Sequence, residues 1–182
     1  VNIRFDNIED YNDVDTRNKY EQLKNAGGDL KAFLENKKQT SRENGRTPFQ
    51  WDATANGGFT TGKPWLKVNP NFTEINAAAQ EKDPNSVLNY YRKLVKIRKA
   101  SPVLQYGKYT LLDHDNPNVF AYARELEGKK VVILLNFTEK EAAFDLGFST
   151  KNTTLILGNY PSTKSFKSNT LRPYESLILE LK

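Results

Sequence analysis

The sequence predicts an α+β chain in which helices and a long ordered loop precede an all-β region. Helix-capping residues recur up to about residue 38, glycine and aromatic residues fill about 39–82, and short alternating segments occupy 104–182. With 182 residues, the chain is long enough for one large domain or two small ones. We expect two domains, residues 1–103 and residues 104–182.

Two short helices are predicted at the start of the chain. Asp6, Asp10 and Asp13 carry carboxylates that can accept from the free N–H groups of a helix N-terminus. Gly27-Gly28 should end the first helix, and Asp29 should cap the second. The apolar stripe expected on the first helix is weak and consists of Tyr11, Val14, Tyr20 and Leu23.

The clearest helix is predicted to open at Asp83-Pro84, a capping carboxylate followed by proline at the first helical position. Ser101-Pro102 should end it. Its broad apolar face comprises Val87, Leu88, Tyr90, Tyr91, Leu94, Val95 and Ile97. The preceding residues hold no sheet or bundle that could cover this face. Because the chain also contains no methionine, we expect it to begin inside a longer polypeptide.

The last part of the chain predicts a small antiparallel β-sandwich of about 75 residues. Residues 125–128 have the composition of a hairpin turn. The expected strands are 108–112, 119–124, 129–137, 140–146, 153–157 and 175–181.

Composition excludes several kinds of chemistry. The chain has no cysteine and one histidine, His114, so a zinc site or a Ser-His-Asp triad lacks raw material, and no cofactor is expected. No apolar run is long enough to span a membrane, and the zero cysteine count fits a cytoplasmic protein. The net charge is +5, but acidic residues interrupt the basic ones, so nucleic acid is not an expected partner.

The segment SRENGRTPFQWD (residues 41–52) is the strongest candidate for function. Its guanidinium groups, on Arg42 and Arg46, can bind carboxylates, phosphates or vicinal sugar hydroxyls; the ordinary alternative is that each braces the loop by pairing with an acid. Asp13 and Asp15 form a nearby carboxylate pair, suited to acid/base work or simply to helix capping. Trp51 can stack on a sugar or anchor the loop on a core.

These residues resemble the α-amylase superfamily, glycoside hydrolase family 13, in its branch of oligo-1,6-glucosidases and sucrose isomerases. The resemblance covers essentially the whole chain. Besides residues 41–52, the matching motifs are GFT at 58–60 with KPW at 63–65, VNPNF at 68–72 with EIN at 74–76, and SVLNYYRKL at 86–94. The resemblance implies an α+β fragment, in which helices and a long loop from the end of a TIM (β/α)8 barrel are followed by a β-sandwich.

The family's nucleophile, acid/base and third acid lie in motifs that have no match here, so no catalytic residue is expected in this chain. The resemblance implies a C-terminal third whose partners are the missing N-terminal catalytic barrel and short α-glucoside oligosaccharides. Arg46 matches the arginine that reaches the non-reducing-end glucose in the innermost subsite. Arg42 matches a neighbour that lines or braces that pocket, and Asp15 matches, more loosely, an acid on the aglycone side.

The expected function is therefore that of the C-terminal portion of a retaining α-glucosidase, inactive when isolated. Glu43 stands where the family usually has Asp, and Phe49 stands where many glucosidases have Met. Phenylalanine at that place also occurs in sucrose isomerases, so a fragment of a trehalulose or isomaltulose synthase is the alternative. A non-catalytic carbohydrate-binding or structural domain is a further one, although both tryptophans precede the β region.

Overall fold

The computed structural model describes residues 3–150, 152–160 and 169–182. The chain forms two compact units, Val1–Ser86 and Val87–Lys182. The first contains helices α1 (Val14–Asn25), α2 (Leu30–Thr40) and α3 (Ala77–Lys82), together with 3-10 turns at Ile8–Asp10, Arg42–Gly45, Ala55–Gly58 and Pro70–Thr73. The second contains α4 (Val87–Ala100), α5 (Pro102–Tyr106) and the strands.

The two helices predicted at the start of the chain are confirmed, with their caps. The Asp13 carboxylate accepts from the Thr16 N–H, and the Asp29 carboxylate accepts from the Ala32 N–H. Asp6 does not cap a helix; it forms an ion pair of 2.9 Å with Lys38. These caps satisfy N–H groups that have no partner inside the helix.

The apolar stripe predicted on the first helix is wrong in part. Val14 is exposed, and the only buried residue of α1 is Thr16. The small core of the first unit comprises Ile3, Phe5, Tyr11 and Leu66, with Ile8 and Leu34 packed against it. Tyr11 and Phe5 are fully buried with their rings edge to face at 5.3 Å. The core therefore consists of residues outside α1, from the segment before it, from Leu66 and from α2.

The expectation that residues 39–82 lack regular structure is also wrong. Helix α3 lies within this stretch, and the Asn76 side chain caps it by accepting from the Ala79 N–H at 2.8 Å. Six residues are too few to show an apolar period in the sequence, which is why the pattern misses the helix.

Helix α4 begins later than predicted. Asp83 ends α3 instead of capping α4, and its side chain accepts from the Asn85 N–H at 2.8 Å in a tight turn. The helix then begins at Val87. Val87 and Tyr91, expected on its buried face, are exposed. The proline therefore lies in the turn between two helices, where its fixed φ is equally suitable.

The second unit contains the predicted antiparallel sheet. The strands are β1 (Lys108–Leu112), β2 (Val119–Leu126), β3 (Lys129–Asn136), β4 (Ala142–Ala143), β5 (Thr153–Gly158), β6 (Thr170–Leu171) and β7 (Ser176–Leu181). The larger sheet has the order β1-β2-β3-β7-β5, and β4 pairs with β6 in a second sheet. The predicted strand at 140–146 is reduced to two residues, and β6 was not predicted.

Both faces of the larger sheet are covered by apolar residues. One face packs against the small sheet, where Ala142 and Leu171 join Val119, Leu134 and Leu179 in a single buried cluster. The opposite face packs against the helices in a second cluster, formed by Val103, Leu104, Val131, Ile133 and Ile178, with Leu94 and Ile97 against it. The arrangement follows from the period-2 alternation of side chains along each strand.

The edge strand β5 is irregular. Its pairing with β7 shifts register between Leu155 and Leu157. Leu155 consequently packs in the cluster between the two sheets, whereas Leu157 packs in the cluster on the helix side. A bulge of this kind reverses the side-chain alternation from that point onward.

Candidate functional site

The segment at residues 41–52 starts in the short 3-10 turn Arg42–Gly45, directly after α2. The Ser41 hydroxyl accepts from the Glu43 N–H at 3.2 Å, and the Arg46 N–H donates to the Glu43 carbonyl at 2.9 Å. Local hydrogen bonds therefore fix the backbone that carries both arginines.

Arg42 is held by an acid of the first unit. Its Nε donates to Oδ1 of Asp13 at 2.9 Å, and its Nη2 contacts the same oxygen. Oδ2 of Asp13 accepts from the Thr16 hydroxyl at 2.8 Å and from the Thr16 N–H at 3.1 Å. The Thr16 hydroxyl, followed by Arg42, holds the pKa of Asp13 below its usual range. Of the two roles expected for Arg42, this geometry favours the brace.

Glu43 is buried, and its carboxylate accepts hydrogen bonds from a backbone N–H. Its two carboxylate oxygens accept from the Asn12 N–H at 2.9 and 3.1 Å. The Asn12 side chain in turn donates to the Trp65 carbonyl at 2.7 Å. Asn12 therefore joins three separate segments of the unit. Asn12 was not among the predicted site residues, because a backbone donor leaves no signal in residue identity.

Asn44 fixes the start of the segment to the end of α2. Its Nδ2 donates to the Lys38 carbonyl at 2.9 Å, satisfying a carbonyl left open where the helix ends. Its Oδ1 is buried and has no hydrogen-bond partner among the residues that the structure describes.

Arg46 differs from the residues before it. Its side chain is exposed at the end of the 3-10 turn. Within residues 3–150, 152–160 and 169–182, the structure gives its guanidinium no acid and no carbonyl, whereas Arg42 beside it is paired. All five N–H donors of this guanidinium therefore face solvent or a ligand.

Asp15 takes no part in these contacts. It forms an ion pair of 2.9 Å with Lys19, one turn further along α1, and both side chains are more than half exposed. Such i, i+4 pairs are ordinary features of helix surfaces. In the described part of the chain, no hydrogen bond or ion pair joins Asp15 to Arg42 or Arg46.

Two aromatic side chains follow the arginines on a tethered backbone. The Gln50 and Trp51 carbonyls accept from the first N–H groups of α3, on Ala77 and Ala78, each at 2.9 Å. The rings of Phe49 and Trp51 pack edge to face at 4.6 Å, and each residue is 56% exposed. Trp51 therefore does not anchor the loop on a core within the described residues; its ring is available for stacking.

A glycine turn closes the loop. The Gly57 carbonyl accepts from the Trp51 N–H at 2.7 Å, and Gly58 has a φ of +68°. A Cβ on Gly58 would lie 2.7 Å from Oδ1 of Asp52, closer than side chains tolerate. The Thr54 hydroxyl and N–H hold the pKa of Asp52 below its usual range. The turn thus requires glycine at position 58.

Other kinds of site are not found in the described residues. There, no group of three or more His, Cys, Asp and Glu side chains could hold a metal ion. Across the same residues, no helix is both long and apolar enough to cross a bilayer. His114 is exposed and lies 3.2 Å from Asp115.

Comparison with known proteins identifies the family to which the chain belongs. The family model described as the catalytic domain of alpha amylase matches residues 8–107, and the C-terminal domain of maltogenic amylase matches residues 109–178. The chain therefore belongs to the α-amylase family. This confirms the resemblance carried by residues 41–52. The two compact units divide after Ser86, whereas the first matched range extends to residue 107. The expected domain boundary at 103/104 therefore stays a prediction.

Several relatives match the chain over its whole length. It is 39% identical over 189 residues to an oligo-1,6-glucosidase of Parageobacillus thermoglucosidasius, covering 100% of this chain and 33% of that protein. It is 42% identical over 188 residues to a trehalose-6-phosphate hydrolase of Bacillus subtilis (strain 168), with the same coverage. The crystal structure of a trehalulose synthase from Pseudomonas mesoacidophila MX-45 superposes with a TM-score of 0.89 at 36% identity, covering 100% of this chain and 34% of that one.

The chain thus spans about a third of the length of the curated relatives it matches. The names of these relatives refer to three different enzyme activities. The family and the fold class are shown by these matches, whereas Arg46, Arg42 and Asp15 as substrate-binding residues stay predictions.

Proposed function

We propose that the chain is the substrate-holding C-terminal portion of a retaining α-glucosidase that acts on short α-glucosides. The observation that supports this is the free guanidinium of Arg46. Arg46 follows a turn in which Arg42 is paired with Asp13 and Glu43 accepts from the Asn12 N–H. A guanidinium held on a fixed backbone, without an acid of its own, suits the vicinal hydroxyls of a terminal glucose.

The carboxylates beside Arg46 are not available for acid/base chemistry. Asp13 accepts from Thr16 and Arg42, and Glu43 accepts from the Asn12 backbone with both oxygens. Retaining hydrolysis needs a nucleophile and an acid/base about 5 Å apart. We therefore assign bond cleavage to a barrel outside this chain, and substrate orientation to Arg46, with Arg42 bracing and Asp15 at the aglycone side.

The isomerisation of sucrose is the second candidate reaction. Phe49 supports it, because phenylalanine at this place also occurs in sucrose isomerases and its ring is exposed. The high structural similarity to a trehalulose synthase is in keeping with it. An oligo-1,6-glucosidase is supported by several relatives with that name. A cytoplasmic location remains part of this proposal.

A transplant tests the proposal. The corresponding third of the P. thermoglucosidasius oligo-1,6-glucosidase is replaced by this chain, and turnover is measured on isomaltose, sucrose and trehalose 6-phosphate. We expect isomaltose hydrolysis by the chimera and none by the isolated 182-residue chain. Trehalulose or isomaltulose formed from sucrose would instead select the isomerase.

Arg46 is tested in the same chimera. Arg46→Lys should lower kcat/KM by about 100-fold, because a lysine cannot reproduce the two-pronged contact. Lys24→Gln, which alters an exposed helix surface away from the proposed substrate-binding residues, serves as the matched control and should leave kcat/KM unchanged. An Arg46→Lys chimera as active as the parent, or robust turnover of isomaltose by the isolated chain, would refute the proposal.

A further inference from the structure

A cavity of about 430 Å³ lies in the second unit between helix α4 and the five-stranded sheet. This volume falls in the range of small-molecule sites, at the smaller end. The lining residues come from α4, α5, β2, β3 and β7. The cavity is half open, so a ligand can enter it from solvent.

The walls of the cavity are mainly apolar. Leu94 and Leu104 line it from the helices, and Ile133, Leu135 and Ile178 line it from the sheet. Ile133 and Ile178 are almost completely buried. Such walls favour a ligand with a hydrocarbon or aromatic body, because burying that body removes apolar surface from water.

The charged groups of the cavity are of one sign. Arg98 and Arg124 line it, and no Asp or Glu is among its lining residues. Arg98 donates to the Leu104 carbonyl, and Nη2 of Arg124 donates to the Gln105 carbonyl at 2.9 Å. These contacts use only part of the five donors of each guanidinium.

Arg124 also has an unsatisfied donor. Its Nε–H is buried and has no hydrogen-bond partner among the described residues. A buried donor of a charged group without an acceptor is costly, and an anionic oxygen is the acceptor that compensates it best. Among the residues that line the cavity, no acid balances the charge of this guanidinium.

Neutral hydroxyls complete the polar side. The Tyr90 and Ser176 hydroxyl oxygens are 3.0 Å apart, and both residues line the cavity. Burial raises the pKa of Tyr122, with the charges of Arg124 and Arg98 acting against it. Tyr122 accordingly stays protonated at neutral pH and can donate to an anion.

We propose that this cavity binds a small organic carboxylate with an apolar body. The carboxylate contacts Arg124 and Arg98, and the body packs against Leu94, Ile133 and Leu135. The site is independent of the proposed glucosidase function, because all its residues belong to the second unit and none belongs to the segment at 41–52.

Isothermal titration calorimetry on the full 182-residue chain tests the proposal with three probes of equal length: hexanoate, 1-hexanol and hexylamine. We expect hexanoate to bind about tenfold more tightly than 1-hexanol, because it adds charge-assisted hydrogen bonds to the same apolar contact. Hexylamine should not bind. Equal affinity for hexanoate and 1-hexanol, or no binding of hexanoate, would overturn the proposal.

Two variants locate the site. Arg124→Gln should abolish the preference for hexanoate over 1-hexanol, whereas Lys129→Gln, which removes an exposed charge at the start of β3, should preserve it. Leu135→Phe fills the space and should abolish binding of both probes. Circular dichroism confirms that each variant is folded. If Arg124→Gln does not fold, the affinities of the three probes and the Leu135→Phe variant still test the proposal. Hexanoate binding that is retained in Leu135→Phe would refute the site.

Discussion

Arg42 and Asp13 form a charged contact across 29 positions of sequence, with the Arg42 Nε 2.9 Å from Oδ1 of Asp13. The same carboxylate caps helix α1 through Thr16. One acid therefore stabilises a helix and, at the same time, holds the segment at residues 41–52. The Asp13 side chain is 7% exposed and that of Arg42 is 62% exposed, so only the acid is withdrawn from water.

This double role predicts that Asp13→Ala costs more stability than loss of an ordinary cap. We expect the free energy of unfolding to fall by about 2 kcal/mol, of which about half is the cap. Asp29→Ala is the matched control, because Asp29 caps α2 through a single bond to Ala32. Urea unfolding followed by tryptophan fluorescence reports on the first unit, which contains Trp51 and Trp65. Equal losses in the two variants would contradict the double role.

The lowered pKa of Asp13 predicts a dependence of stability on pH. The ordinary value is 3.8, and the folded value lies below it. The ionised form is therefore favoured by folding, so the stabilisation is present above pH 3.8 and is lost as pH falls through the folded pKa. Asp13→Asn should keep the cap but not titrate, so its stability should fall less on acidification than that of the unmodified chain.

Urea unfolding between about pH 2 and pH 6 measures this difference. Asp6 and Asp52, whose pKa values are also lowered, contribute equally to both proteins and cancel in the comparison. Parallel pH profiles for the two proteins would show that Asp13 is not linked to folding in this way.

Gly58 is predicted to tolerate alanine poorly. Both Gly58 and Gly27 have positive φ, of +68° and +70°, so alanine strains either backbone. At Gly27 a Cβ meets nothing within 4 Å, whereas at Gly58 it meets the Asp52 carboxylate. Gly58→Ala should therefore reduce the free energy of unfolding by about 1 kcal/mol more than Gly27→Ala. Thermal unfolding of the two variants checks this, and an equal loss would count against the clash.

Glu175 is predicted to stabilise the second unit through its contact with Arg172. Glu175 is 4% exposed; its oxygens accept from the Arg172 Nε at 3.0 Å and from the Arg172 N–H at 2.8 Å. The Arg172 guanidinium also lies 3.9 Å from the centre of the Tyr160 ring. Glu175→Gln should cost about 2 kcal/mol, because it leaves part of a buried polar cluster unpaired. Glu139→Gln, at an exposed position, is the control in circular-dichroism melts; a similar loss in both would contradict the prediction.

The features that the sequence predicted are those set by neighbouring residues. The caps at Asp13 and Asp29 follow from a short polar side chain before a helix, and the strands of the larger sheet follow from alternation. Helix α3 and strand β6 were missed because two to six residues leave too little pattern. The long-range contacts could not be predicted this way. Asn12 and Glu43 are 31 positions apart, and the donor is a backbone N–H that every residue but proline has.

The sequence predicts which side chains belong to the candidate site, but only the structure shows which of them are paired with another residue. Arg42 is paired with Asp13, Asp15 is paired with Lys19, and Arg46 is left without a partner in the described residues. Which of two arginines in one loop finds an acid depends on how α1 packs, and that depends on tertiary contacts outside the motif.

The bulge in β5 makes the two edge strands of the larger sheet unequal. In the described sheet, β1 and β5 are the edges, and an open edge offers unpaired N–H and C=O groups to a second molecule. The register shift at Leu155/Leu157 interrupts that row on β5, whereas β1 pairs regularly along its length and exposes Tyr109 and Leu111. If two copies aggregate edge to edge, β1 is the strand through which they do so.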